Sequence, residues 1–173
     1  MLHDDLLAQA DALLKQDVRR PKQATLRRVI STAYYAVFHA LGYRLSRQIV
    51  VTSADRKQLR GVVRRALVHT EMARALTGFA AGNPGQLYGQ VLGQTVSKGA
   101  LREVAATFLF LQGMRHKADY DVNAKFAKLD AQTAVDDARL ALLALAQTDK
   151  RSKLYEEVFL LSLLLQGTLR GRT

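Results

Sequence analysis

The stretch LRRVISTAYYAVFHAL, residues 26–41, carries apolar side chains at steps of three and four residues. Leu26, Ile30, Ala33, Val37 and Leu41 share one face of a helix, because an α-helix turns once in 3.6 residues. The same spacing recurs along the chain, and no convincing run of alternating apolar and polar residues interrupts it. The sequence therefore predicts an all-α fold.

Outward from this stretch, the spacing predicts helices at about residues 2–17, 21–47, 54–77, 97–120, 130–147 and 153–169. Pro21 suits the first turn of the second helix, where a missing N–H costs nothing. Thr52 or Ser53 is expected to cap the third helix. The expected buried face of that helix consists of Leu59, Val62, Val63, Ala66, Leu67 and Leu76. Residues 77–100, rich in glycine, are expected to form a long irregular connection.

Four longer amphipathic helices flanked by shorter ones are typical of an up-and-down antiparallel helical bundle. We expect this bundle over residues 1–147. Residues 158–165 are apolar around most of a helical circumference, which a surface helix would not tolerate. The C-terminal region 148–173 is therefore expected to pack on the bundle or on a dimer partner.

The positive charge of the chain is concentrated in one segment. Residues 19–74 hold 13 of the 26 Lys and Arg but only two acidic residues, whereas the rest has 13 of each sign. Such a segment attracts polyanions, because binding releases the counterions of phosphates. We expect RNA to bind there, with these contacts: Arg27, Arg28, Arg56, Lys57, Arg60, Arg64 and Arg65.

Several classes of chemistry are not expected. With no cysteine, the chain has no disulfide or thiolate chemistry, and it lacks a paired histidine and carboxylate helix motif for a metal. The glycine-rich segment lacks the ending of a phosphate loop, so no cofactor is predicted. The longest aliphatic run, VFLLSLLL, is far below the roughly 20 residues that span a bilayer. We expect a cytoplasmic protein with no membrane partner.

Two stretches together resemble the HEPN-domain family. RRVISTAYYAVFHAL, residues 27–41, is similar to its second-helix signature, and MRHKADYDV, residues 114–122, resembles the R-x-x-A-D-Y-D end of the motif helix in one branch. The resemblance covers about residues 1–147. It implies an antiparallel four-helix bundle that usually dimerises. Many members are metal-independent endoribonucleases, often toxins of toxin–antitoxin or defence systems, and others bind RNA or proteins without catalysis.

The chain departs from the catalytic pattern of that family. Catalytic members carry an arginine, then four to six residues, then a histidine. Here His116 follows Arg115 directly, and Tyr120, Asp121 and Val122 occupy the positions of the spaced histidine.

Two interpretations of this segment stay open. In a helix, residues four apart share a face, so Arg115 pairs with Asp119, His116 with Tyr120, and Lys117 with Asp121. These pairs would simply hold a helix end. Alternatively, Arg115 stabilises a phosphate, His116 or His69 acts as base, and Asp119 and Tyr120 complete the site.

Three functions follow from these features. The first is RNA binding through the basic segment, and the second is cleavage of RNA by a toxin. The third is a non-catalytic role in which the basic surface meets an antitoxin or another acidic protein. We also expect a homodimer, formed through the helix around residues 115–120, the last helix, or both.

Overall fold

A computed structural model of the chain describes residues 1–16, 19–51, 56–93, 99–147 and 153–169. Every regular element in these ranges is a helix, which confirms the all-α prediction. The helices are α1 (Leu2–Gln16), α2 (Gln23–Ile49), α3 (Lys57–Arg65), α4 (His69–Ala81), α5 (Gln86–Leu92), α6 (Ala100–Tyr120), α7 (Lys128–Ala146) and α8 (Lys153–Leu169). They form two compact units, one of residues 1–40 and 107–143, the other of 41–106 and 144–173.

The core of the first unit follows the apolar spacing of the sequence. The stripe predicted on α2 is buried, and so are positions 108 and 111 of α6 and 134, 135 and 138 of α7. Tyr34 is fully buried, with its ring centroid 5.3 Å from that of Phe108. Each large apolar side chain removed from water contributes about 1.5–3 kcal/mol. This stripe therefore fixes which side of α2 remains available for polar contacts.

In the second unit, α8 packs on α4 and α5. The Phe79 ring meets Phe159 edge-on with centroids 5.1 Å apart, and Tyr155 at 5.7 Å. Leu163 is 1% exposed, and Val158 is also buried. These residues are thus covered within the same chain, and packing of α8 on a dimer partner stays a prediction. The boundary expected at residue 147 stays a prediction.

The predicted third helix is wrong as one element, because the chain breaks it into α3 and α4. Ala66 ends α3, and Val68 is extended with φ −115° and ψ 124°. Between them Leu67 turns inward and is buried. A Cβ added at Gly42 would lie 3.0 Å from Leu67 Cδ1, so the missing side chain of Gly42 makes room for this leucine. The break places Leu67 in the core at the expense of helical continuity.

Two further boundaries differ from the prediction. Residues 77–100 are not wholly irregular, since α4 runs to Ala81 and α5 follows; residues 94–98 lie outside the described part. Gly82 ends α4 with φ +76°, a conformation that favours glycine. Pro21 precedes the first turn of α2, where the Leu26 amide donates to Lys22 O. The proposed caps at Thr52 and Ser53 lie outside the described residues.

Candidate functional site

The Arg115 guanidinium is the centre of a polar cluster in the first unit. Its Nε lies 2.6 Å from Asp119 Oδ2, one turn further along α6. Its Nη2 donates to the Tyr35 hydroxyl at 3.0 Å. Burial acts to lower the pKa of Arg115, but the oxygens of Tyr35 and Asp119 outweigh it, and the pKa lies above its ordinary value. The arginine is a fixed cation that keeps its charge at every physiological pH.

Asp119 is held from its other side by α2. Ser31 donates its hydroxyl to Asp119 Oδ1 at 2.6 Å. Ser31 and Tyr35 are four residues apart on α2, as Arg115 and Asp119 are on α6, so two polar pairs meet on facing helix surfaces. Neither Ser31 nor Tyr35 is among the site residues predicted from the sequence. Both lie on α2 outside its predicted apolar stripe, which is the signal that could have found them.

Tyr120 forms the outer edge of this cluster. It is 63% exposed, and its ring centroid lies 5.3 Å from Arg115 Cζ. The His116 ring lies on Tyr120 as well, with centroids 5.1 Å apart. The predicted pairs of Arg115 with Asp119 and of His116 with Tyr120 are therefore present. The guanidinium lies between two aromatic rings, since its Cζ is also 5.6 Å from the centroid of Tyr35.

The third predicted pair, Lys117 with Asp121, is replaced by a turn. Asp121 Oδ1 accepts the backbone amides of Asn123 at 2.9 Å and Ala124 at 3.2 Å. An aspartate that bonds to amides two and three residues ahead fixes a tight turn. The carboxylate of Asp121 therefore stabilises the turn that follows α6.

Arg27, which lies on α2, also binds the C-terminal end of α6. It donates to Ala118 O and Asp121 O at 2.8 Å and to Ala124 O at 2.6 Å. Its Cζ also lies 5.5 Å from the centroid of the Phe126 ring. The last carbonyls of a helix have no partner within it, and here an arginine supplies one. The donors of Arg27 are directed at the backbone, which leaves the adjacent Arg28 as the better placed contact for a ligand.

An open pocket of about 430 Å³ lies beside the cluster. Its lining includes Arg27, Arg28, Ser31, Tyr35 and Asp119. Arg28 is exposed there, and the charge of Asp119 is already offset by Arg115. The pocket thus presents cations and an aromatic edge to solvent.

The other predicted contacts lie in the second unit. His69 begins α4, and its approach to Arg115 stays a prediction. Arg60 donates Nε and Nη2 to Val50 O at 3.2 and 3.1 Å, whereas Arg56, Lys57, Arg64 and Arg65 are exposed.

Within the described ranges, no group of three or more His, Asp or Glu side chains could hold a metal ion. A search of the same residues found no helix long and apolar enough to cross a membrane. The cluster can therefore be described from its cations, its aromatic rings and one paired carboxylate.

Comparison of the chain with models of known families, with curated proteins and with solved structures gave no match.

Proposed function

We propose that the protein binds RNA, and that the cluster around Arg115 is where it does so. The observation that carries this proposal is the Tyr120 ring, which is largely exposed and lies beside the partly buried guanidinium of Arg115. Single-stranded RNA is bound by stacking bases on aromatic or arginine planes and by cations along the backbone. An exposed aromatic ring next to a fixed cation offers both contacts within about one nucleotide.

The phosphate would lie in the pocket beside the cluster. Arg28 is its exposed cation, and Arg115 contacts two of the lining residues, Tyr35 and Asp119. Asp119 would repel a phosphate if it were unpaired, but Arg115 and Ser31 occupy both of its oxygens. With Asp119 paired, the remaining charge at the pocket is positive, which favours an anion. The RNA contacts expected at Arg56, Lys57, Arg64 and Arg65 lie in the second unit and are not part of this proposal.

The finer architecture belongs to the same proposal. We infer an antiparallel HEPN-like bundle of four main helices and a cytoplasmic homodimer. The dimer would form through α6, where His116 and Tyr120 are exposed, through α8, where Leu154 and Leu165 are 53% and 37% exposed, or through both. Light scattering of wild type and Tyr120→Ala at micromolar concentration tests it, and a monomeric wild type contradicts it.

Titration of a labelled single-stranded RNA tests the binding site. Tyr120→Phe keeps the ring and should bind within about twofold of wild type, whereas Tyr120→Ala should bind about 5- to 100-fold more weakly. Arg28→Ala should also weaken binding. Lys153→Ala removes one exposed charge in the other unit and is the matched control, expected to leave affinity within about twofold.

Salt dependence provides the second readout. With two phosphates contacted, affinity for a single strand should fall about sevenfold between about 50 and 200 mM salt. RNA binding that is absent at low salt, or equal in Tyr120→Ala and wild type, would contradict the proposal.

Cleavage of RNA is the second candidate function. One observation favours it: Arg115 and His116 both contact the Tyr120 ring, so a cation and a base lie on one edge of the cluster. A metal-free nuclease needs such a pair. RNA cleavage that disappears in both Arg115→Ala and His116→Ala would support it. Uncut RNA with wild type contradicts this second function, and cleavage that survives either change rules out the mechanism through Arg115 and His116.

A further inference from the structure

Helix α3, Lys57–Arg65, is amphipathic but packs with its polar side inward. At about 100° per residue, Leu59 and Val62 lie on one face, and Arg60 and Arg64 on the other. The arginine face is the one that contacts the rest of the second unit. Arg60 donates twice to Val50 O, and the stem of Arg64 passes Gly42, where an added Cβ would lie 3.5 Å from Cγ.

The apolar face of α3 consequently points outward. Leu59 is 53% exposed and Val62 54%, and α3 buries none of its residues. Val51 and Val68, on either side of the helix, are 64% and 52% exposed. Single exposed apolar residues are common, but Leu59 and Val62 lie three residues apart on one helix face, and such a paired apolar face is typical of an interaction surface.

Exposed cations flank this apolar face. Arg56 and Arg65 lie about 90° to either side of the line between Leu59 and Val62, whereas Lys57 lies on the opposite side of the helix. Between residues 23 and 70 the sequence has a single acidic residue, Asp55. The occupant of this surface must therefore bring both apolar groups and negative charge.

This requirement decides between the possible occupants. A second copy of α3 would match the apolar face but would set its own cations against these, and like charges across an interface are unfavourable. RNA would satisfy the cations but gains nothing from Leu59 and Val62. An acidic protein would need an apolar groove rimmed with carboxylates. A bilayer with anionic lipid offers acyl chains and negative headgroups together, and it needs no preformed groove.

We propose that α3, with Val51 and Val68 at its ends, docks the protein onto the surface of a bilayer that contains anionic lipid. Leu59 and Val62 enter the boundary between headgroups and acyl chains, while Arg56 and Arg65 remain at the level of the phosphates. This is the arrangement of an amphipathic helix that lies in the plane of the membrane interface. It departs from the expectation of no membrane partner but requires no spanning helix, which needs about 20 apolar residues.

Flotation of the full chain with vesicles tests this proposal. One vesicle preparation contains phosphatidylglycerol and phosphatidylcholine in equal parts, and the other phosphatidylcholine alone. Wild type should float with the anionic vesicles only. The double variant Leu59→Ser/Val62→Ser should bind about tenfold more weakly, and Arg56→Gln/Arg65→Gln about 25-fold more weakly, since each cation contributes about fivefold.

The matched control is Leu140→Ser/Leu143→Ser. These leucines of α7 are also at least half exposed, so the control removes the same number of exposed apolar groups elsewhere. It should float like wild type. Failure of wild type to bind anionic vesicles overturns the proposal. Binding unaffected by Leu59→Ser/Val62→Ser also overturns it, because it would show adsorption by charge alone. Self-association of wild type that this variant abolishes would assign the face to a second copy instead.

Discussion

Replacing Arg27 with alanine tests whether this residue supports the fold or contacts a ligand. The sequence grouped Arg27 with Arg28 as two equivalent contacts for nucleic acid. The structure separates these neighbours: Arg27 binds backbone oxygens at the exit of α6, whereas Arg28 is exposed in the pocket. Their alanine variants should therefore have different phenotypes.

The magnitude follows from the contacts that Arg27→Ala removes. Ala118 O and Ala124 O are part-buried, and each loses a charged donor at 2.8 and 2.6 Å. Such a loss costs about 1–1.5 kcal/mol where water reaches the acceptor only in part. The contact with the Phe126 ring adds about 0.5 kcal/mol. Arg27→Ala should therefore lower the free energy of unfolding by about 3 kcal/mol.

Urea unfolding, followed by circular dichroism, measures this difference. Arg28→Ala is the matched control, since it removes the adjacent and exposed arginine, and it should change stability by less than about 0.5 kcal/mol. Arg28→Ala should instead weaken RNA binding. Equal unfolding midpoints for Arg27→Ala and wild type would refute the assignment of Arg27 to the helix exit, as would equal destabilisation by the two variants.

Gly78→Ala should destabilise the protein by about 1–3 kcal/mol in urea unfolding, because its Cβ would lie 2.7 Å from Asn83 O. Gly113→Ala, also within a helix but with nothing within 4 Å, should stabilise by about 0.5–1 kcal/mol, and the reverse order would contradict both. Leu163→Asp should unfold the protein, because it buries a charge and lowers the free energy of unfolding by more than about 4 kcal/mol. A variant that stays folded and only has a smaller mass in light scattering would place Leu163 at a subunit interface. Burial lowers the pKa of His3 below 6.5 despite nearby Asp4. The unfolded chain then binds the proton more tightly, so stability should fall as pH drops through 6.5 and below, and His3→Gln should flatten that slope in thermal unfolding between about pH 5 and 7.

The long helices could be predicted because their apolar spacing is determined locally. In α2, the stripe from Leu26 to Leu41 is buried where the sequence expects it. The pair of Arg115 and Asp119 could also be predicted, since residues four apart meet on any helix. What a single helix cannot reveal is its neighbour. The contacts of Ser31 with Asp119 and of Tyr35 with Arg115 join residues 88 and 80 positions apart.

The third helix could not be predicted for a related reason. Its apolar face has the correct spacing, but the space at Gly42 admits Leu67 and turns the chain at residues 66–68. Spacing alone reports that one side of a helix is apolar, and it does not report which side packs. In α3 the basic side packs, through Arg60, and Leu59 remains exposed.

The position of Arg27 in the sequence affects the order of folding. The carbonyl oxygens that it caps belong to residues 91 and 97 positions later. During synthesis Arg27 is made long before these acceptors exist, and closing a loop of this length costs entropy before any contact offsets it. The last turn of α6 should therefore become fixed late, after α2 has docked. Amide hydrogen exchange during refolding should show protection in the middle of α6 before protection near Ala118 and Asp121.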